Sequence, residues 1–199
     1  MRIMLQWTPE AGRKVVKKLK KVLFFMLVLL AYSPLAWAGP DTSADAVRKA
    51  AEQGDTAAQH SLGLICFTGQ GVPKDLAESA KWFRAAAEKG FAASQYMLGV
   101  TFLVSEDASK DYAEAAKWFR LASEQGYTEA QAILSAAYAS GRGVERDDVM
   151  ALMWSSIAAT HGDKDASELR DEVARSMTPD QIARAQEMAR DWKPKPQKK

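Results

Sequence analysis

Two histidines, one cysteine and several paired carboxylates are the residues of this 199-residue chain that could do chemistry. A thiol or hydroxyl nucleophile needs a base within hydrogen-bond reach and a third group to orient that base. His60 and Cys66 stand six residues apart, about 600° of helical rotation, so a helix would point them to different faces. His161 immediately precedes a glycine, where its role is to support a helix C-terminus. Two histidines and a lone cysteine do not compose a zinc site. The pairs Asp147/Asp148 and Asp163/Asp165 flank predicted helix starts, where capping and the helix dipole account for them. The sequence thus predicts no enzyme, no metal and no cofactor.

The elements that position these residues repeat. Gly54, Gly90, Gly126 and Gly162 recur every 36 residues, and between them recur Gln59/Gln95/Gln131, Leu62/Leu98/Leu134, Asp75/Asp111/Asp147, Trp82/Trp118/Trp154 and Ala86/Ala122/Ala158. A repeat of this length predicts a solenoid, in which each unit buries its apolar face against its neighbours. Within the first copy, residues 57–68 place Ala58, Leu62, Ile65 and Cys66 at helical spacing. Gly69-Gln70-Gly71-Val72-Pro73 then breaks the chain. Asp75 caps a second helix over 76–88, with Glu78 completing a capping-box arrangement that Asp111 and Glu114 repeat. Asp147 keeps the cap in the third copy, but Met150 replaces the glutamate. Each second helix closes on a glycine suited to the left-handed conformation. The expected fold is all-α: a right-handed α-solenoid of three helix-hairpin repeats (54–89, 90–125, 126–161) with helical caps.

The residues Ala58, Leu62, Gly63, Gly69, Gly71, Val72, Asp75, Ala80, Trp82, Phe83 and Ala86 form a pattern that resembles the Sel1-like repeat, a relative of the tetratricopeptide repeat. The third copy keeps Ala130, Leu134, Gly141, Gly143, Val144, Asp147 and Trp154 but has Ser135 after the leucine. The second copy keeps Leu98-Gly99 and Trp118-Phe119 and writes Ser105-Glu106-Asp107-Ala108 where the glycine loop belongs, which predicts a different turn there. The resemblance implies a protein-interaction module, an adaptor or regulator of envelope or signalling complexes. Some exported members carry a cysteine pair per repeat and are linked to β-lactam binding or hydrolysis. This chain has a single cysteine and lacks those pairs. A cell-wall or small-ligand binding or hydrolytic module is therefore the alternative, disfavoured by that lack and by the missing catalytic constellation.

Residues 1–38 read as a signal peptide. Arg13, Lys14, Lys17, Lys18, Lys20 and Lys21 precede an apolar run from Val22 to Tyr32, and Ala36 and Ala38 offer small residues for cleavage before Gly39. The run is short against the ~20 residues of a spanning helix; left uncleaved, it would serve as an inner-membrane anchor. This segment holds seven basic residues and one acid, so the whole-chain net charge of +2 becomes 20 basic against 24 acidic residues, a net of −4, without it. A mildly acidic chain does not suit nucleic acid, which needs a basic face. The predicted location is periplasmic or secreted, in a bacterium. Residues 39–53 form a linker and capping helix, 162–192 the C-terminal capping helices, and 193–199 a solvated basic tail. The start Thr178-Pro179-Asp180-Gln181 opens the last helix, with Ile182, Ala185, Met188 and Trp192 on one face.

Two stripes remain. Trp82, Trp118 and Trp154 could stack on a sugar, but one aromatic per repeat beside Phe83 or Phe119 reads as inter-helix core. Lys81, Arg84, Lys117 and Arg120 beside them form a solvated outer face. On the first helices, positions opposite the Leu62 face read His60/Leu64/Phe67, then Tyr96/Val100/Leu103, then Ala132/Ala136/Ala139. Leu64, Phe67, Tyr96, Val100 and Leu103 are accordingly the expected anchors for a protein partner in a concave groove, with a gap at the alanines. The competing expectation is that neighbouring repeats cover them. Cys66 aligns with Phe102 and Tyr138 and is expected to be a buried, inert thiol.

Overall fold

Nine helices and no strand occur among the described residues, 43–104 and 111–196 of a computed structural model. They are α1 (Ser43–Glu52), α2 (Thr56–Thr68), α3 (Leu76–Glu88), α4 (Ala92–Val104), α5 (Tyr112–Glu124), α6 (Thr128–Ser140), α7 (Asp148–Thr160), α8 (Lys164–Ala174) and α9 (Pro179–Asp191). From α2 to α8 each helix packs on the next in chain order, and α9 returns to pack on α7. The hairpins α2–α3, α4–α5 and α6–α7 are the three repeats of an α-solenoid. The expected signal peptide and the turn at 105–108 lie outside the described residues.

Local chemistry sets the hairpin ends. Asp75, Asp111 and Asp147 each accept a hydrogen bond from the backbone N–H three residues on, at 2.9, 2.9 and 3.0 Å. Asp55 and Asp163 do the same for α2 and α8. The helices α1, α3, α5 and α7 end alike. At α3, Gly90 N–H donates to Ala87 O and Phe91 N–H to Ala86 O, a Schellman motif that needs the glycine at φ +87°. Only glycine adopts that conformation freely, so the 36-residue recurrence of this residue is the recurrence of one turn.

The core is built from the same repeated positions. Leu62, Leu98 and Leu134 are buried, as are Phe83, Phe119, Ala86, Ala122 and Ala158. Burying one such phenylalanine or leucine stabilises by roughly 1.5–3 kcal/mol. The glycine after Leu62 follows from Phe83: a Cβ on Gly63 would sit 2.6 Å from the phenylalanine Cδ1, and one on Gly99 would sit 2.8 Å from Phe119 Cε1. In the third repeat Ser155 takes the phenylalanine position and Ser135 the glycine position, so the two changes accompany each other.

The repeated glutamines join consecutive repeats. Gln59, Gln95 and Gln131 are buried, and their Nε2 groups donate to Ala51 O, Ala87 O and Ser123 O at 3.1, 3.1 and 3.2 Å. Each acceptor lies in the last turn of the preceding helix and also takes the N–H of the turn glycine, so the glutamine uses the carbonyl's second lone pair. The array is thus held by a hydrogen bond at every junction as well as by apolar contact.

Both ends are covered. On α1, Ala51 and Val47 pack with Leu62, Cys66 and Trp82. At the other end Ala166 of α8 packs with Ala132 and Ala158, which covers the first of the three alanines where a gap was expected, while Ala136 and Ala139 are half-buried. Helix α9 opens with a full capping box between Thr178 and Gln181, buries Ala185, and is followed by Trp192 edge-on to Trp154 at 5.9 Å. The covered outer face of α7 carries Met153, Ser156 and Thr160 where α5 has Lys117, Arg120 and Glu124. Within the expected basic tail, Lys195 is docked on α5. Lys195 N–H donates to Glu124 O at 2.7 Å, and its Nζ reaches Glu124 Oε2 at 2.8 Å. Cations suit a helix C-terminus, and this one carries an acid as well.

Candidate interaction surface

The inner helices α2, α4 and α6 carry the residues expected to bind a partner, and the structure separates them into two groups. Phe67, Tyr96 and Val100 are buried, at 5%, 1% and 2% exposure. Phe67 faces the Phe83 ring at 6.4 Å, and Tyr96 lies between Phe119 at 6.0 Å and Tyr127 at 4.9 Å. The expectation that these three anchor a partner is therefore replaced by a packing role. Its physical reason is that an inner helix touches its own second helix and the next repeat together, which leaves only a narrow accessible strip. Leu64 and Leu103 are half-buried and border that strip.

On α2 the strip contains Ala57, Ser61, Leu64 and Thr68, spaced as one helix face, and on α6 it contains Glu129, Ile133, Ala136 and Ser140. Between them, Met97 and Val100 of α4 are buried, while Val104 at the helix end is half-buried. Ser61, Thr68 and Ser140 return their hydroxyls to carbonyls of their own helices, so their polarity is largely spent within the helix. What stays accessible is modestly apolar: Leu64, Leu103, Val104 and Ile133.

The chemically reactive candidates are placed apart from any common cavity. Cys66 is buried in the α1–α2 cluster, and burial first, then Glu78, raises its thiol above the ordinary range. His60 sits between Phe83 at 5.6 Å and Phe91 at 5.1 Å, with Nδ1 2.8 Å from Ser94 Oγ; burial lowers it to about 4. His161 Nδ1 lies 2.9 Å from Ile157 O, in the last turn of α7. Burial pushes Tyr127 up to about 12 and Tyr96 higher still, with Glu129 adding to both. No group of three or more metal-ligating side chains occurs among the described residues. A cavity of about 320 Å³ lies between α7 and the C-terminal cap, lined by residues including His161, Arg190 and Trp192. Its Ser156 and Thr160 hydroxyls bond to carbonyls of α7, so it is a seam under the cap.

The tryptophans hold the second helices. Trp118 and Trp154 are buried and Trp82 is half-buried. The Nε1 of Trp82 and Trp118 donates to Glu78 and Glu114 Oε1 at 3.3 and 3.0 Å. These glutamates therefore do not complete capping boxes as their spacing suggested; each turns toward the tryptophan one helical turn on. In the third repeat Met150 stands in the glutamate position, and Trp154 Nε1 is buried without a partner. Arg84 and Arg120 are exposed and lie over the Phe102 and Tyr138 rings, 5.8 Å from each centroid. Sequence reasoning noted the glutamines but not their bond to the preceding helix; their fixed distance of eight residues from its last turn was the available signal.

A family model described as Sel1 repeat matches three times, at residues 56–91, 92–127 and 128–163. Among solved structures, a protective antigen present in uropathogenic Escherichia coli strains and displaying an SLR fold is 36% identical, with TM-score 0.68. That match covers 75% of this chain and 32% of the other, so this chain spans about a third of that relative. A Sel1 repeat protein from Oxalobacter formigenes is 30% identical with TM-score 0.57, over 63% of this chain and 95% of that one. Helicobacter pylori cysteine rich protein B shares the fold at 19% identity and TM-score 0.50, over 66% of this chain and 99% of its own. No curated protein matches the chain.

Proposed function

The chain belongs to the Sel1 repeat family, whose fold is commonly a protein–protein interaction module, and from that premise we propose that it is an exported, non-catalytic adaptor or regulator that holds a protein partner along its inner helices. The observation that carries this is the accessible strip of Leu64, Leu103, Val104 and Ile133 beside a closed core. Apolar side chains on a rigid concave surface suit a helix or an extended segment. Export to a bacterial periplasm, or beyond it, rests on the basic stretch, apolar run and small residues that precede Gly39.

The test is crosslinking capture from cell envelopes with the chain beginning at Gly39. Leu64→Arg and Ile133→Arg, each on the strip, should abolish capture of a specific envelope protein while leaving the melting temperature within a degree or two. Capture that persists in both variants would overturn the assignment of the inner strip.

A further inference from the structure

We propose that the junction between the first and second repeats is an acid-sensitive seam: protonation of His60 separates α1–α3 from α4 while the second and third repeats stay stacked. His60 belongs to α2, and its ring is enclosed by Phe83 of its own repeat and by Phe91 and Ser94 of the next. Ser94 is fully buried. At the same position the second repeat has Tyr96, enclosed by Phe119 and Tyr127, and the third has Ala132, packed on Ala158 and Ala166. Neither gains a proton in mild acid. Only one of the three equivalent positions can respond.

No acid stands ready to receive an imidazolium there. On α3, Glu78 bonds to Arg48 of α1 and to Trp82, Lys81 and Arg84 lie over rings, and Glu88 is exposed. In the turn, Lys89 bonds to Gly54 O, and Asp55 caps α2. On α1, Asp45, Lys49 and Glu52 are exposed, and α4 carries no charged residue among its described positions. Ser94 Oγ can serve one ring nitrogen, and the half-buried ring otherwise stands between Phe83 and Phe91. Burial is accordingly the cause of the depressed basicity of His60, not a neighbouring charge.

The sign follows from which state binds the proton. An imidazole released from the seam takes up a proton near pH 6.5, whereas the enclosed one resists until about 4. Opening is therefore unaffected above pH 7, is favoured progressively as pH falls from 6.5, and reaches its full effect below 4. At pH 5 the opening equilibrium should be shifted about 30-fold relative to pH 7.5. Because each repeat of a solenoid touches only its neighbours, the loss stays local to the first hairpin and its cap.

Hydrogen exchange of the full chain at pH 7.5 and pH 5, corrected for intrinsic rates, reads this directly. Opening in α1–α3 should rise by roughly 30-fold in acid, with α6 and α7 unchanged, and His60→Phe should remove the rise. Equal acid responses in wild type and variant, or a uniform rise across all repeats, would overturn the proposal. Should His60→Phe fail to fold, nuclear magnetic resonance titration of wild-type His60 decides: a midpoint far below 6.5 supports the seam, and one near 6.5 defeats it.

Discussion

Gly63 lies directly against the ring of Phe83, so close that a Cβ there would stand 2.6 Å from Cδ1 and 2.7 Å from Cε1. The contact ties the leucine–glycine pair of the first helix to the aromatic of the second. It accounts for the third repeat changing both members, to Ser135 and Ser155.

Gly63→Ala should therefore destabilise by about 1–3 kcal/mol, because an overpacked ring outweighs the ~1 kcal/mol that alanine gains over glycine in a helix. Adding Phe83→Ser should cost less than the two single changes summed, since removing the ring opens space for the new methyl. Urea unfolding of the two single variants and the double variant measures the coupling. Strict additivity would show that the two positions act independently.

Gln95 is the second point of leverage. Its Nε2 bonds Ala87 O, and its Oε1 accepts from Gln125 Nε2 at 2.7 Å. Gln95→Leu should destabilise by roughly 1–3 kcal/mol, removing one of the two bonds to Ala87 O and leaving the half-buried Gln125 amide without its acceptor. Chemical denaturation gives the value, and a loss below half a kcal/mol would mean that water replaces the side chain.

The tryptophan positions differ in what they need. Trp118→Ala should lose about 3–5 kcal/mol as a buried aromatic does, with Trp82→Ala losing less because it is only half-buried. Met150→Glu should raise stability by about 0.5–1.5 kcal/mol by giving Trp154 Nε1 the acceptor that its counterparts have. Thermal melts of the three variants test this. A lowered melting temperature for Met150→Glu would show that the methionine's packing matters more than the missing bond.

Export makes its own prediction. Protein recovered from the native envelope should begin at Gly39, which N-terminal mass spectrometry reads in one measurement. An intact N-terminus in the membrane fraction would instead establish an anchored form.

The recurring Gly90, Asp75 and Leu62 positions made the hairpins, their caps and their core legible, because turn chemistry and helical spacing are local properties. The interaction surface was only half legible. Leu64 lies on the accessible strip, but Phe67, three residues on in α2, is enclosed, as are Tyr96 and Val100 of α4. Helical rotation places a side chain relative to its own axis and is silent about which neighbours stand beside it. The reach of Glu78 toward Trp82 and the docking of Lys195 on Glu124 were missed for related reasons. In the first, two partners compete for one carboxylate; in the second, the contact joins residues far apart in the chain.

That last contact makes the array mechanically uneven. The Lys195–Glu124 pair spans 71 residues, whereas the other described side-chain hydrogen bonds span 35 or fewer. It crosses from beyond the C-terminal cap to the end of the second repeat, so bending between the second and third hairpins must stretch a tether as well as a packed face. The first and second hairpins meet through neighbour contacts. Flexing of the solenoid should therefore concentrate at its N-terminal junction, with the C-terminal two-thirds moving as a stiffer block.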